Sequence, residues 1–495
     1  MLKRLLLCLF LLAASGPAPA AAPAPGPDVA AAAPALTLDQ RIDARVRPVA
    51  DAVSGAIFHA VRIGGTDEAP LMFPLIVGWL ILAGLVFTAY FRFINIRGFG
   101  HGLQLIRGRY SDPSAPGEVS HFQALTSAVS GTVGLGNIAG VAVAITVGGP
   151  GATFWMILAG LLGMSSKFVE CTLGVMYRLE KADGTVSGGP MYYLSRGIGA
   201  NYPSLRGFGR LLAFVFALCT MLGAIGAGAM FQANQAYAQF FNITGGDAGP
   251  LAGRGWMFGI GIAVLAGAVV IGVNFDAVPA AFGAILDGAF TAPGVQGGVL
   301  GALIVGFRRA AFSNEAGLGS AAIAHSAVRT REPLTEGFVA LWEPFIDTVV
   351  ICTMTAIVII VTGQHLVAGT DGVQLTSNAF GSVAGWFPLA LTFAVFLFAF
   401  STIITWAYYG SKACSFLFRE SKVALYGFKV VYLGMAVVGC TMQLGSIVDI
   451  ADALLFIMAI PNLIGVYLLM PVVKRALVAY QAKLKSGEIR PYAAG

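Results

Sequence analysis

The stretch HFQALTSAVSGTVGLGNIAGVAVAITVGGPG, residues 121–151, decides the fold of this chain. It is apolar enough to lie in a bilayer, yet its middle contains Gly134-Leu135-Gly136-Asn137. Hydrocarbon cannot satisfy free N–H and C=O groups, so an unwound backbone at that depth must be buried in protein or line a cavity. Two interpretations follow: a broken membrane helix with free backbone groups, or a continuous helix whose small residues pack against a neighbour. Composition alone does not separate them.

The composition excludes an ordinary soluble protein. Of the 495 residues, 57% are hydrophobic and only 11% are charged, and the mean hydropathy is +0.79. Apolar segments of about 20 residues without alternation predict helices rather than a β-barrel. The sequence therefore indicates an all-α polytopic membrane protein. The net charge of +6 does not indicate nucleic-acid binding, because the basic residues cluster in short loops beside the apolar segments.

The N-terminal region has the layout of an exported membrane protein. Residues 1–22 predict a signal peptide, and residues 23–72 predict a periplasmic linker and an amphipathic segment. A transmembrane domain over 73–475 and a cytoplasmic tail over 476–495 follow. Basic residues after the first span place its end in the cytoplasm. We therefore expect the inner membrane, an outer N-terminus and a cytoplasmic C-terminus.

The apolar segments predict about ten spans. They are expected at 73–91, 121–151, 151–177, 208–241, 255–275, 297–328, 334–362, 386–410, 425–443 and 447–473. The span over 297–328 contains a second polar, glycine-containing stretch at 313–317. Two interrupted spans, one in each half of a chain, indicate a binding site between inverted repeats.

Several polar residues are expected inside these spans. For the amides Gln232, Asn234 and Gln235, a cavity-facing role is favoured over hydrogen bonding between helices. Lys167 and Glu170 are three residues apart and can pair on one helix face, while Glu343 and Asp347 share another. Glu343 is expected near a solvated end, which leaves Asp347 as the better candidate for an intramembrane carboxylate. The six cysteines form no CxxC pair, so neither a disulfide framework nor a thiolate metal site is expected.

Seven motifs in order resemble the alanine or glycine:cation symporters, also called the sodium:alanine symporter family. They are GNIAGVA (136–142), GGPGATFWM (148–156), GGPMYY (188–193), FSNEAGLGSAAIAH (312–325), FIDT (345–348), FAFSTIITWAYYG (398–410) and PNLI (461–464). The resemblance implies eleven spans, a leucine-transporter-like fold of inverted repeats with one extra N-terminal span, and sodium-driven uptake of small neutral amino acids by alternating access. It implies an amino acid, sodium and membrane lipid as partners, no nucleic acid and no cofactor, and we expect a monomer.

The same resemblance implies where the substrate and the ion bind. Backbone and side-chain groups of the first break would bind the substrate together with residues of other spans: Thr132, Gly134, Gly136, Asn137, Gln232, Asn314, Thr402 and Trp406. Thr402 and Trp406 lie one helical turn apart and can face one cavity. Sodium prefers oxygen ligands, and the expected ones are carbonyls of Val129 and Ser130 with hydroxyls of Ser401 and Thr405.

The sequence departs from the family at one place. The family has a basic loop and a further helix where residues 265–297 pass directly into the following hairpin, so we expect about one span of the first repeat to be absent. The alternative to a symporter is therefore a transport-impaired, sensor-like or channel-like member. An enzyme is disfavoured, since His325, Glu315 and Asp347 would be its only candidate catalytic residues. No HExxH motif, GxSxG motif or nucleotide-binding loop occurs in the sequence.

Overall fold

The structure is a computed structural model, and it describes residues 37–246 and 298–491 apart from positions 69, 113, 183 and 368. Long helices dominate these residues. Their bounds are α1 Leu38–Ile57, α2 Leu75–Tyr90, α3 His121–Thr132, α4 Ala139–Gly148, α5 Ala152–Met176, α6 Arg206–Gly223, α7 Phe231–Ile243, α8 Gly298–Asn314, α9 Ala321–His325, α10 Pro333–Ala340, α11 Thr353–Val361, α12 Gly372–Val383, α13 Phe387–Leu417, α14 Lys422–Cys440, α15 Leu444–Phe456 and α16 Ala459–Ser486.

Shorter elements connect these helices. Two antiparallel pairs of strands occur, β1 Ala60–Gly65 with β2 Pro70–Pro74, and β3 Leu179–Glu180 with β4 Val186–Ser187. π-helical turns at Ala224–Met230 and Phe345–Cys352 join α6 to α7 and lead into α11. Short helical segments lie at Ile94–Arg97, Phe99–Ile106, Leu135–Asn137, Pro190–Tyr192, Tyr193–Gly197, Ile198–Asn201, Pro203–Leu205, Trp342–Pro344 and Gln364–Leu366.

The N-terminal region is more ordered than the sequence indicated. Thr37 and Gln40 form a capping box at the start of α1. The β1–β2 hairpin was not predicted, and it moves the start of the first membrane helix from residue 73 to Leu75, because residues 70–74 pair with β1. The predicted signal peptide lies outside the described residues.

Both predicted breaks are present. The first membrane helix pair bends by 60° between α3 and α4, with a single 3₁₀ turn between them. The second break separates α8 from α9. It needs left-handed backbone at Gly317 (φ 88°) and Gly319 (φ 80°), which glycine adopts without steric cost. The first stretch is therefore not a continuous helix, although Gly131 and Gly134 also pack closely against Thr405 and Thr402 of α13.

Six described helices are long and apolar enough to cross a membrane, or seven if the bent pair counts as one span. Large apolar side chains such as Leu82, Leu389 and Val430 are exposed on the outside of the bundle, as expected for a surface covered by lipid. The predicted span over 255–275 lies outside the described residues, so the structure does not test the expected total of about ten spans. The described part agrees with a polytopic helical membrane protein.

One end of the bundle is organised around Arg178, and we call it the Arg178 end. The Arg178 guanidinium donates to the backbone carbonyls of Pro116 and Val328 at 2.7 and 2.5 Å. Lys412 donates to the Val186 carbonyl at 3.0 Å, at the C-terminal part of α13. The charge pattern predicts that these segments are cytoplasmic, and the fold places them together.

The opposite end carries α1, and we call it the Asp43 end. Asp43 accepts from the backbone N–H of Gln443 at 3.1 Å. Asn242, near the end of α7, accepts from Gln374 at the start of α12. The N-terminal half of α8 packs beside the start of α5, where a Cβ on Gly306 would lie 2.5 Å from the Ala152 carbonyl. Helix α7 therefore ends, and α8 begins, at the same end of the bundle.

Candidate functional site

The first break brings three spans together at Gly134. The backbone N–H of Gly134 donates to the side-chain oxygen of Asn137 at 2.9 Å, and the N–H of Leu135 donates to the Gln232 side-chain oxygen at 3.1 Å. A Cβ on Gly134 would lie only 2.6 Å from Thr402 Oγ1. Since the break interrupts the helical ladder, these N–H groups lack helical partners and side-chain oxygens satisfy them instead.

Trp406 lies one turn beyond Thr402 on α13. Both side chains are buried. The Trp406 ring contacts the Tyr409 ring, with centroids 5.4 Å apart. The Cβ of Trp406 lies so close to Gly228 that any side chain at position 228 would clash with it. Close packing of this kind fixes the indole against the π-helical turn between α6 and α7.

The expected sodium ligands lie side by side where α3 crosses α13. Ser401 and Thr402 both donate to the Ser130 carbonyl, at 3.4 and 3.2 Å. The Ser130 and Thr405 hydroxyls are 3.0 Å apart. The Val129 carbonyl already accepts from the backbone N–H of Val133 at 2.7 Å. The arrangement is a cluster of hard oxygen donors, the ligand type that suits alkali and alkaline-earth cations.

The second break reaches the same region through Asp347. Asp347 is fully buried on the π-helical turn before α11 and accepts from Asn137 Nδ2 and Ser313 Oγ, each at 2.7 Å. Asn314 donates to the Thr348 hydroxyl at 2.9 Å. Asn137 of the first break is thereby joined to Ser313 of the second. π-helical turns often occur at functional sites.

The predicted site residues differ in whether their side chains contact the first break. Thr132 hydrogen bonds back to carbonyls of its own helix, at 3.3 Å. Gln232 lies at the break, where it accepts from the backbone N–H of Leu135. For Asn234 and Gln235 the cavity interpretation is wrong: Asn234 donates to the Gly439 and Met442 carbonyls, and Gln235 donates to Asn234 and accepts from the backbone N–H of Val373.

Two expectations about buried charges are also wrong. Glu343 is fully buried rather than solvated, and Lys167 pairs with it at 2.9 Å. Lys167 forms no ion pair with Glu170, which instead accepts from Asn462 at 2.6 Å. Tertiary packing decides these pairings, because a buried charge needs a partner and the nearest one here comes from another span.

Sequence reasoning missed Ser313 and Thr348 as partners of Asp347. A signal was present, because FSN (312–314) and FIDT (345–348) both place hydroxyls beside polar residues inside apolar segments. Their convergence on one carboxylate could not be predicted, since it depends on how two breaks pack together.

Comparison with known proteins adds independent evidence. A model of the sodium:alanine symporter family matches residues 61–273 and 265–494. The chain is 36% identical over 430 residues to "Sodium/alanine symporter AgcS" of Methanococcus maripaludis, covering 82% of this chain and 92% of that protein. It is 34% identical over 426 residues to "Amino-acid carrier protein AlsT" (82% and 90%) and 33% identical over 447 residues to "Probable sodium/glutamine symporter GlnT" (86% and 92%), both of Bacillus subtilis.

The match covers both broken spans and α13, which carry the residues described above. Proteins of this family are transporters rather than enzymes, and sodium and an amino acid are the substrates that their names give. The chain belongs to the sodium:alanine symporter family.

Proposed function

We propose that this chain is a sodium-coupled symporter that imports small neutral amino acids, alanine and glycine above all, by alternating access. The observation that carries the proposal is the meeting at Gly134 of the first break with Gln232 and Thr402. The break offers backbone donors, and a neighbouring span offers a hydroxyl and a bulky ring.

The substrate carboxylate is expected at the first break. The N–H groups of Gly134 and Leu135 now donate to side-chain oxygens of Asn137 and Gln232. A carboxylate oxygen can take the same place, and its charge strengthens the hydrogen bonds. Thr402 then lies within reach of the bound molecule, and Trp406 limits the length of its side chain. The break carries no acidic or basic side chain of its own, which favours a neutral substrate.

Sodium is expected beside Ser130. The Ser130 carbonyl accepts two weak hydrogen bonds from hydroxyls of α13, at 3.2 and 3.4 Å. A cation there would replace them with oxygen ligands from both α3 and α13, and so would hold the first broken span against the other repeat. The hydroxyls of Ser401 and Thr405 complete the proposed set with the Val129 carbonyl. Protons are the other plausible coupling ion.

The proposed setting is the inner membrane. The Arg178 end is cytoplasmic in this proposal, because the basic loops gather there. The Asp43 end is then outside, after removal of residues 1–22 as a signal peptide. The transport unit is a monomer with a leucine-transporter-like arrangement of repeats, surrounded by lipid.

Binding in detergent tests the proposed substrate and ion together. Labelled alanine should bind when sodium is present and should be lost when choline replaces sodium. Glycine should compete, whereas arginine and glutamate should not. Competition by arginine or glutamate as strong as that by glycine contradicts the proposed site. Binding that ignores sodium but follows pH indicates proton coupling.

A second candidate function is a transport-impaired or sensor-like member of the family. Helix α7 ends and α8 begins at the Asp43 end, and the family resemblance implies two spans in the sequence between them. The sequence of residues 247–297 holds one strongly apolar segment, 255–275. The 430 positions matched to AgcS cover 82% of 495 residues, about 406, so about 24 matched positions have no residue in this chain.

Labelling from the two sides of the membrane separates the candidates. Asp287→Cys and Arg331→Cys variants are treated with a membrane-impermeant maleimide from each side. An intact arrangement predicts that Asp287→Cys reacts only from outside and Arg331→Cys only from inside, with uptake matching that of an eleven-span relative. Reaction of Asp287→Cys from the cytoplasmic side, together with binding but no accumulation of alanine, supports the impaired member.

A further inference from the structure

A chain of five buried titratable side chains lies between the proposed substrate site and the Arg178 end. His121 Nδ1 and His325 Nδ1 each lie 2.5 Å from one oxygen of Glu336. His325 Nε2 lies 3.4 Å from Glu343 Oε2, and the other oxygen of Glu343 accepts from Lys167 at 2.9 Å. All five are at most 2% exposed. The proposed substrate and sodium sites use none of them.

The geometry around His325 favours an added proton. If Glu336 is ionised, both histidines must donate through Nδ1–H to approach it at 2.5 Å. A neutral His325 would then direct the lone pair of Nε2 at the Glu343 carboxylate. Neither His325 Nε2 nor Glu343 Oε2 has a hydrogen-bond partner among the described residues. A proton on Nε2 instead places a positively charged ring against that carboxylate at 3.4 Å. If the proton lies on Glu336, the group holds the same number of protons but His325 is neutral.

The charge balance leads to the same conclusion. Lys167 offers one positive charge against the two carboxylates of Glu336 and Glu343. With one added proton the group is neutral, and without it a negative charge remains buried without compensation, which is costly in a membrane interior. Glu170 and Glu315 lie close to Lys167, but they accept hydrogen bonds from Asn462 and Ser320, outside this chain of contacts. The titratable groups on the helices packed most closely against α9 are His121 on α3, Lys167, Glu170 and Cys171 on α5, and Tyr408, Tyr409, Lys412 and Cys414 on α13.

The position of the proton gives it a mechanical role. His121 begins α3, the inner half of the first broken span, and His325 ends α9, which follows the second break. Glu336 on α10 contacts both histidines. We propose that His325 is a buried proton-binding site whose proton holds the inner halves of the two broken spans together through Glu336 and Glu343. The role in transport rests on the proposed function, whereas the proton itself does not.

The step is a simple protonation. A proton from water at the Arg178 end adds to His325 Nε2, and its release leaves a neutral imidazole facing a carboxylate. Release weakens the contact between α9 and the segment that carries Glu343. Because the inner halves of both broken spans must move for alternating access, transport should depend on whether this proton is bound.

Nitrogen NMR of the full chain in lipid tests the proton directly. The protein carries five histidines, so ¹⁵N-histidine labelling gives few signals, and the signal absent from His325→Gln identifies His325. At about pH 8 an ordinary histidine is neutral. His325 should instead show two protonated ring nitrogens. Burial lowers the pKa of His101, so His101 should be neutral in the same spectrum. A neutral His325 at this pH overturns the proposal.

Two glutamate variants test the origin of the effect. In Glu343→Gln the amide can donate to a neutral His325 Nε2 while its oxygen still accepts from Lys167, so His325 should become neutral at about pH 8. Glu170→Gln is the matched control, since Glu170 is equally buried but contacts Asn462, and there His325 should stay protonated. Loss of the proton in both variants contradicts a specific role for Glu343. If Glu343→Gln does not fold, the unaltered protein and the control still decide whether the proton is bound.

Uptake at different pH tests the mechanical role. Under a fixed sodium gradient, alanine uptake should fall roughly tenfold per pH unit once the proton is lost. His325→Gln should show less than about twofold change over the same range, and His101→Gln should behave like the unaltered protein. If His325→Gln keeps the original pH profile, the proton does not hold the broken spans. If the chain takes up no alanine at all, the proposed function fails while the NMR result still stands.

Discussion

Replacing Gly134 by alanine tests the meeting of the first break with Thr402 and Gln232. Gly134 has extended backbone (φ −140°, ψ −152°), which alanine adopts without strain. The new Cβ would lie 2.6 Å from Thr402 Oγ1 and 3.2 Å from Gln232 Oε1. The only effect is therefore steric, and it acts on two side chains of the proposed substrate site.

The contact at 2.6 Å is far inside van der Waals distance, so either Thr402 or the break must move. Overpacking in a closely packed interior costs about 1–3 kcal/mol, and about 1.4 kcal/mol corresponds to tenfold in affinity. If Thr402 moves aside in the unbound protein and must return to contact the substrate, binding restores the clash, and Gly134→Ala should weaken alanine binding by roughly 5- to 150-fold.

The assay is sodium-dependent binding of labelled alanine, with a control from the same stretch. Gly140→Ala adds a methyl group with no atom within 4 Å. This variant should bind nearly as well as the unaltered protein. In Gly134→Ala/Thr402→Ala the clash with Oγ1 is removed, so the double variant should bind no worse than Thr402→Ala alone. Equal affinities for Gly134→Ala and Gly140→Ala refute the placement of the substrate at the break.

Three further outcomes are expected. Trp406→Ala should admit leucine and methionine in competition assays at a cost of about 3–5 kcal/mol in stability, and unchanged selectivity contradicts its role in limiting side-chain size. Thr405→Val should raise the sodium concentration needed for half-maximal alanine binding. The control Thr392→Val removes another hydroxyl of α13, one that contacts Gln239, and it should leave this sodium concentration unchanged. Equal shifts in the two variants argue against the sodium site. Asp347→Asn leaves a donor unpaired among the three that now face the carboxylate, a cost of about 1–3 kcal/mol, and should weaken binding about tenfold or more by the same assay.

The breaks could be predicted from the sequence because glycines and polar residues inside an apolar segment have few explanations. Gly134-Leu135-Gly136-Asn137 and the stretch around Ser313 both interrupt helices where expected. The pairing of α13 with the first break was expected only through the family resemblance. In the structure it depends on Gly131 and Gly134, which allow Thr405 and Thr402 to approach closely.

The buried charges could not be predicted in the same way. Lys167 and Glu170 are neighbours on one helix, yet the partner of Lys167 is Glu343, 176 residues away. Helix periodicity shows which residues share a face but not which face meets which. The β1–β2 hairpin was missed for a related reason, since its strands are short and one of them merges with the apolar start of α2.

Alanine accumulation in proteoliposomes tests the central claim most directly. With sodium high outside, the proposed symporter should concentrate labelled alanine inside above its external concentration, and collapse of the sodium gradient at constant membrane potential should release it. Gly134→Ala should lose most of this accumulation and Gly140→Ala should keep it. Equilibration of alanine without accumulation, or accumulation that persists after the sodium gradient is collapsed, contradicts sodium-coupled symport by this chain.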